Sequence, residues 1–461
     1  MNKWLLVILV LFCFVACDDD FATGADMQPV ASADTLHLGT ILTGNSSPTY
    51  LLKLYNRNDK DLQLTSIVLR NAGSSGFRMN VDGLSGSSFT QSEFLRIASG
   101  DSLFMFVEAT FPEAKGGITQ HLDYVDVTCN GKTSTIVLEA LSKDVKKLRA
   151  YTVTKDETWS NAQEVQIYDS LVVAKGVTLT LSDSATLYLH DKANIVVYGR
   201  LKTRGTKDRP VTIRGDRTDN MFDNLPYDNL PSQWGSLYLR KESRNSSLEY
   251  TNIHGMSEGI FVQSDARFTN CRIKNSDGNL LTALNAQMNL ENCELSNCSG
   301  SLLDLTGGTY TIVHCTLANY NFASIIRQEA VRLSNRDTLE VEDAPLHKCE
   351  FVNTIVWGKR FDPDIRLDYY KPIEGDSIFS YSFDHCLLHA NGEDDEQFVG
   401  TIWNEDPMFV LIDNENYTYD LHLDKDSPCI CAGNESWVAK YPKDIEGNRR
   451  QEYPSIGCYE K

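Results

Sequence analysis

Cys271, Cys293 and Cys315 stand 22 residues apart, each inside the same short phrase: Thr-Asn-Cys-Arg-Ile, Glu-Asn-Cys-Glu-Leu and Val-His-Cys-Thr-Leu. A fixed period in the low twenties marks one structural rung stacked on the next. The phrases alternate in polarity, are rich in apolar and β-branched residues, and are punctuated by Asn or Gly. The rung is therefore made of short strands rather than helical turns. A coil of parallel strands with one turn per period is a parallel β-helix, in which each side chain rests on its counterpart one turn below.

The period leaves the state of those thiols open. Stacked rungs lie about 4.8 Å apart, within the Cα range of a disulfide. An in-register ladder is also what a small buried hydrophobe produces. Free buried thiols are the expectation, a rung-to-rung disulfide is the alternative, and no Cys-x-x-Cys pair supports a metal. No metal ligands are assigned.

The start of the chain gives an address. Met1-Asn2-Lys3 is a charged n-region, Trp4 to Phe14 is apolar, and Ala16 precedes Cys17. The apolar run is too short and wrongly flanked for a spanning helix and reads as a secretory signal over residues 1–16. With the cysteine at the cut site it resembles a bacterial lipoprotein signal, which implies that Cys17 is the acylated first residue of the mature chain. Phe14 departs from the Leu usual at that motif's first position. Asp18, Asp19 and Asp20 follow directly. They resemble the acidic cluster that directs lipoproteins of Bacteroidota to the outer face of the outer membrane, and a solvated tether over residues 17–33 is the plainer reading. Acyl chains anchor a protein without any transmembrane helix.

Composition narrows the partners. A net charge of −20 over 461 residues argues against nucleic acid, whose phosphates need a basic footprint. It disfavours acidic polysaccharides too, unless a local basic strip overrides the field. No cofactor is expected beyond a possible calcium ion, and a monomer is expected.

The pass along the chain divides it further. Residues 34–144 read as about seven or eight short strands with glycine turns between them, an antiparallel β-sandwich. Phe77-Arg-Met-Asn-Val-Asp-Gly83 and Ser99-Gly-Asp-Ser-Leu-Phe-Met-Phe-Val-Glu108 resemble the immunoglobulin-like modules that precede β-helices in Bacteroidota surface proteins. After a linker, residues 150–461 read as the β-helix. Gly199-Arg-Leu-Lys-Thr-Arg-Gly-Thr206 followed by Arg209-Pro-Val-Thr-Ile213 resembles the first coils of right-handed β-helices. The tail, with Asp406-Pro-Met-Phe409, Asp444-Ile-Glu-Gly-Asn448 and Ile456-Gly-Cys-Tyr-Glu460, resembles their C-terminal end. From about residue 400 it is expected to cover the last rung, whose bare edge would otherwise invite aggregation. The expected fold is thus all-β: a sandwich followed by a right-handed single-stranded parallel β-helix.

Chemistry is less legible than shape. Asn252-Ile-His254-Gly255 followed by Arg272-Ile-Lys274 resembles the His and Arg-x-Lys elements of polygalacturonases. Those enzymes need aspartates to protonate the leaving oxygen and activate a water. Gln233-Trp234-Gly235 stands where the carboxylate pair belongs, so His254 and Lys274 read as rung residues. A lyase needs a cation to neutralise a uronate and a base beside it. The densest basic strip runs from Arg200 to Arg217, with Lys202, Arg204 and Arg214 as candidates, against the plainer reading of a solvated face. Glu393-Asp394-Asp395-Glu396 offers calcium hard oxygens but lacks the ligand spacing of a defined loop.

Sugar binding without catalysis needs only aromatic platforms and a few polar groups. Tyr227, Trp234 and Tyr238 lie around a 15-residue excursion from Asp216 to Leu230, and Trp357 and Tyr369 lie near a second, Gly358 to Phe379. Cap packing is the plainer reading of these rings. Asp-Ser/Thr triplets resemble the O-glycosylation sequon of Bacteroidota exported proteins, with Thr35, Ser102, Ser170, Ser184, Thr338 and Ser377 as acceptors. The sequence therefore favours an outer-membrane, lipid-anchored, exterior-facing scaffold that presents loops to a polysaccharide or host glycan. A β-helix carbohydrate-active enzyme, most plausibly a polysaccharide lyase, is the alternative.

Overall fold

The computed structural model of the chain describes residues 21–461, apart from 91, 92, 114, 115, 162, 163, 223, 361, 362, 374, 376 and 377. Cys17, Asp18, Asp19, Asp20 and the acceptor Ser377 lie outside the described residues. The chain divides into two compact units, Met1–Asp144 and Val145–Lys461.

The first unit is a two-sheet sandwich. One sheet orders Val30–Ala31, Tyr50–Tyr55, Ser102–Ala109, Phe77–Val81 and Leu84–Gly86. The other orders Thr35–Leu42, Lys132–Lys143, Ile118–Cys129, Leu62–Leu69 and Ser88–Thr90. Alternation sets the core: Leu103, Met105, Val107 and Ala109 from one strand meet Val125, Val127 and Cys129 from the other sheet. The expected tether is shorter than the sequence implies. Ala22 is buried, Phe21 pairs with Asp61, and Asn130 Nδ2 donates to the Gly24 and Met27 carbonyls at 3.1 and 2.9 Å. Those bonds fasten residues from 21 onward to the sandwich, so they are not a free linker.

The second unit is a parallel β-helix, and it starts earlier than expected. Lys146–Val153 already pairs in parallel with Val165–Val173, so the presumed linker holds the first rung. Three ladders run its length. Face one stacks Thr186–Leu189, Val211–Gly215, the first half of Thr251–Val262, Arg272–Ser276, Glu294–Cys298, Thr316–Asn319, Ile355–Gly358, Leu387–Leu388 and Ile402–Trp403. Face two stacks Asn194–Val197, Trp234–Leu239, the second half of Thr251–Val262, Leu281–Leu284, Leu303–Thr306, Val331–Ser334 and Ile365–Asp368. Face three holds ten strands, from Glu157–Trp159 to Phe398–Val399.

The cysteine phrase is the corner between faces three and one. A left-handed residue makes the turn in successive rungs: Tyr250 (φ 42°), Asn270 (54°), Asn292 (50°), His314 (51°), Asn353 (48°) and His385 (50°). Asn tolerates that region better than other non-glycine residues. The next residue is buried and is Thr251, Cys271, Cys293, Cys315, Thr354 or Cys386. Each donates to the carbonyl two residues back, as Cys293 Sγ does to Glu291 (3.4 Å) and Thr354 Oγ1 to Val352 (2.9 Å). Thiol and hydroxyl are thus interchangeable fillers of one corner niche. The ten described cysteines are free, and nine of them are buried.

The tail corrects the sequence reading most. Residues 404–461 do not cover the last rung; they run back along the outside of face one. Leu421, Ile445, Cys458 and Tyr459 pack on Ala318, and Leu423, Cys429 and Ile456 pack on Ile355 and Leu387. These are the outward residues of strands whose inward residues Leu317, Val356 and Leu388 fill the coil. Strands buried on both sides lose alternation and read as apolar pairs or runs, as Phe351-Val352 and Ile355-Val356 do in the sequence. Cys458 N donates to Thr316 Oγ1 (3.1 Å) and Gly457 N to the Asn353 carbonyl (2.8 Å). The end of the coil is filled instead by Phe383, Phe398 and Trp403 in ring contact. Loop residue Gly392 lies against the Trp403 ring, and Trp403 Nε1 donates to Asp394 at 3.2 Å.

Candidate functional site

Face one carries two outward columns. One runs Tyr188, Arg214, His254, Lys274 and Ser296; the other runs Asn252, Arg272, Glu294 and Thr316. In the middle coils the last residues of the tail cover the second column, and the first lies beneath the loops and the tail hairpin.

The excursion after face one's Val211–Gly215 lays a carboxylate over the first column. It forms a small hairpin, Asn220–Phe222 with Leu225–Pro226, and then a short turn, Tyr227–Asn229. Arg214 grips Asp228 with both terminal nitrogens, Nη1 to Oδ2 at 2.9 Å and Nη2 to Oδ1 at 2.6 Å, the bidentate geometry Arg favours. Burial raises the Asp228 carboxyl, against the pull of Arg214 and Lys274. His254 Nδ1 lies 3.9 Å from Asp228. Burial, then the charges of Lys274 and Arg214, push His254 well below the ordinary histidine range, so its ring is neutral.

One rung further lies a polar cleft of about 260 Å³. Its floor is Lys274, Asn275, Glu294, Ser296 and Asn297. Asn275 and Asn297 are both left-handed (φ 60° and 59°) and stand one turn apart, where Gly255 (φ 81°) serves the rung before. The walls come from three connections: Asn229 from the excursion, Phe322 from the loop between faces one and two, and Tyr417, Thr418 and Tyr419 from the tail hairpin. Phe322 and Tyr417 touch with ring centroids 4.3 Å apart.

The carboxylates beside the cleft are engaged by the protein. Glu294 accepts from the Tyr459 hydroxyl and from Ser296 Oγ (3.5 Å), with Arg272 Nε at 3.8 Å. Asp228 belongs to Arg214. Lys274 has no ion-pair partner within 4.0 Å among the described residues, which leaves a cation against amides and aromatic rings. Such a set can hold hydroxyls, an anionic group and the apolar face of a sugar ring.

The sequence candidates are scattered relative to this cleft. Lys202 and Arg204 lie on face three, whereas Arg214 lies on face one and is bound to Asp228. The basic strip bends round a corner between them and forms no single face. Trp234 is fully buried and its Nε1 donates to the His254 carbonyl at 2.8 Å, so it is core and offers no surface to a glycan. Tyr227 lies under Arg217, 3.9 Å from its guanidinium carbon, and Tyr238 stacks on Phe261 at 5.0 Å on face two. Trp357 packs half-buried on His389 at 4.3 Å, while Tyr369 is 58% exposed. Thr35, Ser102, Ser170 and Ser184 are half-buried and Thr338 is exposed. In the acidic loop, Asp394 and Asp395 accept backbone N–H groups of Gly400, Thr401, Gln397 and Phe398. Among the described residues no three His, Cys, Asp or Glu side chains are grouped to hold a metal ion.

The family described as a right-handed β-helix region matches residues 211–368, the stretch that holds the floor of the cleft. No curated protein matches the sequence. Among solved structures, the catalytic domain of a GH87 α-1,3-glucanase in complex with nigerose is similar over 77% of this chain and 87% of that chain, at 8% identity and a TM-score of 0.20. A PapD-like domain of human CEP192 covers 26% of this chain and 86% of its own, at 13% identity and a TM-score of 0.17. A Porphyromonas gingivalis W83 protein of unknown function covers 28% of this chain and 60% of its own, at 10% identity and a TM-score of 0.19.

Proposed function

We propose that this protein is a glycan-binding β-helix scaffold, held at the outer membrane through an acylated Cys17 and facing the cell exterior. One observation carries the binding reading: a cleft on face one joins aromatic walls to a lysine with no ion-pair partner, and two amide edges with no hydrogen-bond partner, among the described residues, while its neighbouring carboxylates are tied to Arg214, Arg272 and Tyr459. Carboxylates held in that way orient the floor; a general base would need a lone pair, and a general acid a proton, open to the substrate. The Lys274 ammonium suits an acidic sugar within an otherwise anionic chain.

The protein from Asp18 onward should be retained on affinity gels containing uronate-bearing glycans, and Lys274→Gln should lose that retention with an unchanged melting temperature. Release of unsaturated products during the same incubation would overturn the non-catalytic reading in favour of a lyase. The anchor is tested separately: a palmitate analogue should label the native chain in cells and leave Cys17→Ser unlabelled.

A further inference from the structure

The cleft is closed at both ends along the coil. Toward the earlier rungs stand Asp228 and Asn229. Arg214 fixes Asp228 from below, and Asn275 Nδ2 donates to the Asp228 carbonyl at 3.0 Å. Toward the later rungs stand Phe322 and the tail hairpin, where Tyr419 donates its hydroxyl to Asn414 Oδ1 at 2.8 Å.

The two ends are also joined to each other. Asn229 Nδ2 donates to the Tyr417 carbonyl at 3.3 Å, and Asn224 Nδ2 repeats the link to the Glu415 carbonyl at 3.3 Å. A saccharide chain lying along the coil would have to pass through that link. The cleft's 260 Å³ is below the roughly 300–1,000 Å³ of ordinary ligand pockets, room for one sugar ring and not for its neighbours.

We infer that the cleft takes the terminal residue of a glycan end-on, and not an internal stretch of chain. The inference rests on the glycan-binding reading above. Inside, the Lys274 ammonium, the Asn297 Nδ2 and the Asn275 Oδ1 have no protein partner among the described residues. Together they offer two donors and an acceptor to one ring, with Phe322, Tyr417 and Tyr419 beside its apolar face. Each further residue of the chain stays in solvent, so chain length adds no contact energy.

Calorimetry on the protein from Asp18 onward tests this with galacturonate against trigalacturonate, and with galactose against a β-1,4-linked galactotriose. Monomer and trimer of whichever sugar binds should agree within about threefold. A trimer about tenfold or more tighter than its monomer, or a trimer that binds alone, overturns the end-on inference and leaves the glycan reading standing. No heat from any of the four, together with no retention of any glycan on affinity gels, removes the glycan reading itself. The double change Asn224→Ala with Asn229→Ala opens both links between the ends. At an unchanged melting temperature it should raise the trimer-to-monomer affinity ratio, and an unchanged ratio counts against the inference.

Discussion

Arg450, with its side chain wholly buried, meets the Glu460 carboxylate at 3.1 Å. The pair sits in the clasp that holds the tail to face one. Arg450 also donates to Asn292 Oδ1 (2.9 Å) and to the Gly457 carbonyl (3.2 Å). Burial lowers the guanidinium's pKa, and Glu460 opposes it. Removing one member of a buried pair leaves the other uncompensated, at about 3–5 kcal/mol. Glu460→Ala is therefore expected to lose about that much in urea unfolding, and the double change Arg450→Met with Glu460→Leu to lose less.

Acidity should act on the second unit from both sides. Burial pulls His422 down, but Asp420 (2.6 Å) and Glu446 (3.3 Å) outweigh it and raise its pKa above the ordinary value. Its contribution is complete below the unfolded value near 6.5 and is lost as pH rises through the folded one. His254 and His314 are buried with pKa held well below that value. Their contribution is present above about 6.5 and is lost as pH falls. Melting temperature against pH should flatten on the alkaline side in His422→Gln while the acid limb stays.

Trp234 separates core from contact. Its side chain is fully buried among Met256 and the face-two residues. Trp234→Ala should cost about 3–5 kcal/mol in stability. At temperatures where the variant stays folded, retention on a glycan gel should be unaffected.

The corner niche tolerates exchange. Because Thr251 and Thr354 occupy it as Cys293 does, Cys293→Thr should cost under about 1.5 kcal/mol, whereas Cys293→Leu overpacks it by about 1–3 kcal/mol. Titration of the folded protein from Asp18 onward with a thiol reagent should find Cys431, the exposed one among the described cysteines, reacting first.

What the sequence conveyed follows from what repeats. The 22-residue phrase repeats because each rung must fill the same corner, so the coil and its cysteines were legible. The cleft was legible only in part: Asn275 and Asn297 belong to the repeat, whereas Asp228, Phe322 and Tyr417 come from connections with no period. Trp234 misled because the ladder slips between Trp234 and Ser236, where the register shifts against the next rung. A one-residue slip inverts which side chains face inward. The tail was misplaced for another reason. Its apolar residues show that it covers something, and nothing local says which surface.

The tail's route has a consequence for how the molecule comes into being. A chain is made from its N-terminus onward at about 5–20 residues per second. Ala318, Ile355 and Leu387 therefore emerge well before Leu421, Ile445 and Ile456, which shield them. Until the tail docks, these outward residues form a bare apolar flank. A ribosome that stalls within the last coils leaves that flank bare. Only a chain that carries the tail can close the clasp over face one.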